Sequence, residues 1–184
     1  MLQITIPERE WYDERKEEFI TTKECSLKLE HSLLSLSKWE SKWKKPFLSS
    51  KVEKTNEESI DYVRCMTITQ NVDPLVYYAI DKKTMDEISA YIDDPMTATW
   101  FSKEENAKSK VNRETITSEI IYYWMTAFHI PFEECQKWHL NRLITLIQVC
   151  SIKSQPEKKM TQQEIMQRNA MLNAQRRAKM KTKG

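Results

Sequence analysis

Apolar positions along the chain first alternate and then take up helical spacing. Residues 2–6, LQITI, put Leu2, Ile4 and Ile6 on one side and stop at Pro7, the pattern of a short strand. In REWYDERKEEFITTKECSLKL, Trp11 and Tyr12 precede a polar turn, and Phe19, Ile20, Leu27 and Leu29 follow it. This predicts a β-hairpin or small meander over residues 10–30. From Ser32 the period changes: Leu33, Leu36, Trp39 and Trp43 fall at helical spacing until Pro46 ends the run. Thr55 and Glu58 make a capping box for a short helix carrying Ile60, Val63 and Met66. Asp73 before Pro74 reads as an N-cap followed by proline at the first helical position, opening LVYYAI. Thr84 and Glu87 form a second box, opening MDEISAYI, which ends at DDP. Residues 96–101, MTATWF, read as a short strand or extended link, and SKEENAKSKVNRE as an exposed polar loop.

Two strong helices follow. In RETITSEIIYYWMTAF, the residues Ile116, Ile120, Tyr123, Trp124 and Phe128 are assigned one face. Pro131 then opens PFEECQKWHLNRLITLIQVC, where Phe132, Cys135, Trp138, His139, Leu143, Leu146 and Cys150 form an apolar stripe. Only two residues separate the two stretches, which predicts an antiparallel pair at the heart of the fold. After Pro156, Thr161 and Glu164 make a third box for QQEIMQRNAMLNAQRRAKM, a run of helix formers with a thin apolar side. The expected architecture is α+β, mainly α. Residues 1–152 are expected to form a single globular domain, with a β element at 1–30 and a helical body at 32–152. Residues 153–184 are expected to form a basic C-terminal helical tail.

Charge divides the chain at the same place. Residues 153–184 hold nine Lys or Arg against Glu157 and Glu164, a net of +7, which leaves −5 for residues 1–152 out of a total of +2. Gly184 is the only glycine. Phosphate-cradling loops, dinucleotide fingerprints, EF-hand loops and G-x-S-x-G nucleophile elbows all place glycine where backbone must turn tightly, so none is present in its usual form. Cys25, Cys65, Cys135 and Cys150 are widely spaced without a C-x-x-C pair, which fits reduced, buried thiols in a cytosolic protein. No apolar run long enough for a membrane span occurs.

The candidate chemistry is sparse. His129, Cys135 and His139 are the nearest approach to a metal set, but they lie on an apolar stripe beside Trp138, where a core histidine and cysteine are the expected reading. Cys135 or Cys150 with a histidine lacks the electropositive setting that a reactive thiolate needs. Glu133 and Glu134 suit the first turn of a helix without any chemistry. No catalytic residue, cofactor site or metal site is assigned, and the chain reads as a non-enzyme. The stretch SKWESKWKKPF interleaves tryptophan with lysine, as some nucleic-acid grips do. Its residue types separate by face, however, so Trp39 and Trp43 are expected in the core, with the lysines balancing nearby carboxylates and Glu40 spaced to pair with Lys44. The basic tail is the stronger lead. Arg168, Arg176, Arg177, Lys179, Lys181 and Lys183 can bind a protein partner or the acidic body of another copy, stay solvated, or neutralise phosphates of a nucleic acid through residues 157–184. At least one ring of the pairs Tyr122–Tyr123 and Tyr77–Tyr78 must face away from its helix's main stripe, and Tyr122 joins the tail residues as a candidate partner contact.

Several stretches together, LKLEHSLLSLSKWESKW, YVRCMTITQNVDP, DDPMTATWF, EIIYYWMTAFHIPFEECQKWHLNRLITLI and RNAMLNAQRRAKMKTKG, resemble a family of small proteins from the tail-gene region of long-tailed bacteriophages, the tail assembly chaperones and closely linked tail proteins. The resemblance covers residues 25–184 as a whole-chain pattern without a functional motif. It implies a non-enzymatic helper in the cytoplasm of the infected host, with the tape-measure protein and the tail-tube subunit as partners. The alternatives are a structural tail or neck component of the virion and a nucleic-acid-binding accessory protein.

Overall fold

A computed structural model describes residues 1–13, 17–99, 101, 115–154 and 162–180. The fold is α+β and mainly α. The chain divides into two compact units, Met1–Ile152 and Lys153–Gly184.

The first unit opens with four strands, β1 (Leu2–Ile6), β2 (Arg9–Asp13), β3 (Glu18–Thr22) and β4 (Cys25–Leu29). The hairpin expected over residues 10–30 is β2 with β3, in register from Arg9↔Thr22 to Asp13↔Glu18. It is enclosed by an antiparallel pairing of β1 with β4, from Leu2↔Leu29 to Ile6↔Cys25, so the strands nest in two separate two-stranded sheets rather than run as a meander. Alternation puts Ile4, Ile6, Leu27 and Leu29 on the buried face. The end of α2 (Asn56–Met66) and the residues after it cover the other edge of β4: Glu30 N–H donates to Met66 O at 2.9 Å and Ile68 N–H to Lys28 O at 2.8 Å.

Helix α1 (Leu33–Trp43) serves two cores at once. Its N-cap Ser32 and N3 residue Ser35 form a reciprocal box, and Lys44 ends it in the left-handed conformation, φ 55°. Trp39 joins the strand residues, Tyr62, Val63 and Met66 of α2, Val76 and Tyr77 of a 3₁₀ helix (Pro74–Ala79), and Ile88 of α3 (Lys82–Asp93). Leu33 and Leu36 face the second core, made of Ile121 and Met125 of α4 (Ser118–Ala127), Cys135 of the four-residue α5 (Phe132–Cys135), and Leu140, Leu143 and Ile147 of α6 (Leu140–Ser154). The boxes at Ser32 and Thr55 and the Asp73 cap hold these starts in place.

The structure corrects five local expectations. Helix α3 is capped by Asp81, whose carboxylate accepts from Thr84 N–H at 2.8 Å, so Thr84 is an interior residue of the first turn and not the cap. The buried face of α4 is Ser118, Ile121 and Met125; Tyr123 and Ile116 are exposed. The expected long helix from Pro131 breaks between Gln136 and His139. There Leu34 N–H donates to Gln136 O, Leu140 N–H donates to His31 O at 2.7 Å, and Ser32 bridges His139. Phe132, at the start of the expected stripe, is exposed, and α4 and α6 share one core with Leu33 and Leu36 of α1. Residues 96–99 form no strand, which is the link alternative of the reading and no correction; Trp100, Thr161 and nearly all of the polar stretch after Phe101 lie outside the described residues.

The fifth correction concerns Glu40. It does not hold the Lys44 side chain. Its buried carboxylate accepts from Phe47 N–H at 2.9 Å and from Ser118 N–H at 2.8 Å. Thr117, at the N-cap of α4, makes no side-chain cap bond, so a carboxylate 78 positions earlier satisfies an orphan donor of that helix and faces its positive end. Substituting Glu40→Gln keeps the shape but removes the charge, and is expected to cost about 1–3 kcal/mol of stability in urea unfolding. A loss below about 0.3 kcal/mol would show that this clamp is not formed.

Candidate interaction surfaces

Trp39 and Trp43 settle the meaning of the tryptophan–lysine stretch. Trp39 is wholly buried, packs edge-on to Phe47 and Tyr62, and donates from Nε1 to Glu58 O at 2.8 Å. Trp43, half-buried, donates to Asp61 Oδ2 at 2.8 Å. The flanking lysines pair with carboxylates of α2: Lys42 with Asp61 at 2.6 Å, and Lys45 with Glu58. Hydrogen bonds from Lys45 and the Thr55 backbone hold the Glu58 carboxyl below its ordinary range. Burial opposes ionisation of Asp61, but Lys42 and Trp43 outweigh it and hold that carboxyl low as well. These rings and cations are therefore engaged within the fold and do not form a stacking platform for bases.

The histidines and cysteines do not converge. His129 is exposed on a left-handed turn, φ 54°, while Cys135 and His139 are buried. Among the described residues no three His, Cys, Asp or Glu side chains gather to hold a metal ion. Burial pushes the Cys135 thiol up, away from the thiolate.

His139 belongs to a buried polar file that composition did not reveal. Tyr62 Oη lies 2.6 Å from His31 Nδ1, the His31 and His139 rings meet edge-on at 5.1 Å, and His139 Nε2–H donates to Tyr91 O at 3.0 Å. Tyr91 Oη–H donates to Glu30 Oε1 at 2.7 Å. Burial, reinforced by the neighbouring His139, lowers the His31 pKa to about 3, and burial raises the Tyr62 hydroxyl above its usual range. His31 is therefore neutral and shares one hydrogen bond with the un-ionised Tyr62 hydroxyl, and the file stitches the end of β4 to α2, α3 and the start of α6.

Two exposed surfaces carry the candidate partner residues or their neighbours. On the first unit, Tyr123 is 68% exposed and Phe132 42% exposed. Tyr122, the sequence candidate, is half-buried: its ring meets Phe132 edge-on at 5.8 Å and its hydroxyl donates to Gln136 Oε1 at 3.4 Å, so Tyr123 is the outward ring of the pair. Tyr77 is likewise buried and Tyr78 exposed. Glu119 shares a face with Tyr123, and Glu133 and Glu134 follow Phe132; all three acids are exposed. The acid at residue 119 is held ionised by hydrogen bonds from its own backbone and Thr117.

The second surface is helix α7 (Gln162–Met180) in the Lys153–Gly184 unit. Every residue from Met166 to Arg177 is exposed, including Met166, Met171 and Leu172. Arg168, Leu172 and Arg176 recur at intervals of four and so share one side of the helix, while Arg177 points elsewhere. Lys179 lies in the helix, with its side chain outside the described set; Lys181 and Lys183 are outside the described residues. Among the described residues no helix is long and apolar enough to cross a membrane.

Comparison of the chain with protein-family models, curated proteins and solved structures finds no match.

Proposed function

We propose that the protein is a non-enzymatic tail assembly chaperone of a long-tailed bacteriophage, which binds the tape-measure protein and aids assembly of the tail tube in the host cytoplasm. The observation that carries this reading is α7: a 19-residue helix whose described side chains are all exposed, with methionines and a leucine among its arginines. A lone helix of this length is marginal in water and gains most of its stability from packing. Methionine suits a surface that must adapt to a long helical client, and helix-on-helix docking supplies the contact mode. The whole-chain resemblance to phage tail proteins supplies the client.

The test is co-expression of the full chain with the tape-measure protein of the same phage, followed by affinity capture. Capture of the tape-measure protein, lost on deletion of residues 157–184, is the expected result. No capture by the full chain overturns the reading. Stoichiometric presence in purified virions would instead make it a tail or neck component. Retention of duplex DNA that falls steeply with added salt would make it a nucleic-acid accessory protein.

A further inference from the structure

We propose that the exposed aromatic–acidic patch around Tyr123 and Phe132 is a docking surface for helix α7 of a second copy of this chain. The two surfaces match in both charge and character. The patch offers two large exposed rings beside Glu119, Glu133 and Glu134. The helix offers Leu172 between Arg168 and Arg176 on one side, and residues 165–184 contain no acid. Two exposed rings set in like-signed charge are kept from non-specific contacts and accept a partner of opposite sign. The same opposition holds for the units as wholes, −5 against +7.

The occupant follows from what the chain carries. The complementary helix is present at the same concentration as the patch, because each copy contributes one of each. A second copy allows both helices to dock reciprocally, closing a twofold dimer and doubling the buried surface. One 19-residue helix on one patch is small beside the roughly 800 Å² per partner of a standard interface, and the reciprocal arrangement brings the pair toward it. Client binding to α7 then competes with the dimer, so dimerisation would protect an exposed helix until a client arrives. The docking itself does not depend on the client's identity.

The test is sedimentation equilibrium of the full-length chain. A dimer is expected at about 50 mM salt, shifting to monomer as salt rises toward about 500 mM. Arg176→Glu should weaken the dimer roughly tenfold or more, and adding Glu133→Lys to it should recover part of that loss. Arg177→Glu, a control on another side of the helix, should change it less than about threefold. Tyr123→Ala should weaken it while leaving far-ultraviolet circular dichroism unchanged. A monomer at about 100 µM in low salt, a dimer indifferent to salt and to Tyr123→Ala, or equal effects of the two arginine reversals would each overturn the proposal. Failure of the tape-measure capture with these results intact would overturn only the tail-assembly reading.

Discussion

Replacing Trp39 with alanine is expected to lower the stability of the Met1–Ile152 unit by about 3–5 kcal/mol. Three effects add. The substitution empties a site with no solvent access, between Phe47 at 5.0 Å and Tyr62 at 6.4 Å. It removes the Nε1–H bond to Glu58 O and leaves that carbonyl without its donor. It also withdraws support from the stacked Phe47–Tyr62 pair, whose centroids are 3.7 Å apart. For a unit of this size the change corresponds to a fall in Tm of roughly 10–15 °C. Trp43→Ala, at a half-buried site, should cost less than half as much. Equal costs for the two in urea titrations would refute the division of roles between these tryptophans.

Acid is expected to destabilise the fold well above the pH at which carboxylates titrate. The folded pKa of His31 is depressed to about 3 from the ordinary 6.5 because burial, and secondarily His139, disfavours its charged form. The unfolded chain therefore binds a proton that the folded chain refuses as pH falls below 6.5. Stability present at neutral pH is then lost at roughly 1.4 kcal/mol per pH unit, down to the folded value. Glu58 and Asp61 carry the carboxylate version of the same sign. Their stabilisation is complete above their unfolded pKa values, and its loss begins only as pH drops through that lower range. The two windows separate: between pH 6 and 5 the slope belongs to histidine. Urea midpoints at pH 7, 6 and 5 read it directly, and His31→Gln should flatten it. An unchanged midpoint from pH 7 to 5 in the natural chain would remove His31 from the account.

Local chemistry made the strands and most helix starts legible in the sequence. Ser32, Thr55 and Asp73 stand at their caps because side-chain oxygens reach donors two or three residues away, within the window that sequence spacing describes. Asp81 and Thr84 are both competent caps three residues apart, and the helix formers Lys82 and Lys83 let the earlier one win. The face of α4 was not legible, since Ile, Tyr, Trp and Met surround it; packing against Leu33 and Leu36 selected Ile121 and Met125. Nor was the break at residues 136–139, which is fixed by bonds to His31 and Leu34 about a hundred positions earlier. The arginines of the tail could be read from charge alone. The patch that complements them could not, because it depends on which ring of Tyr122 and Tyr123 turns inward.

Among the described residues five that are not glycine, Glu17, Lys44, Asn71, Met96 and His129, hold positive φ. In most proteins glycine would take several of these turns. Each such residue other than asparagine costs roughly 1–2 kcal/mol in that conformation. A glycine there would remove the cost but widen the unfolded ensemble by about 0.4–1 kcal/mol. The two effects largely offset each other, so a chain nearly free of glycine trades looseness when unfolded for tension at a few named turns when folded. At Lys44 that tension sits just before Pro46 and Phe47, where the backbone swings Phe47 N–H onto Glu40. The turn that ends α1 thus also aims the amide that helps hold its one buried acid.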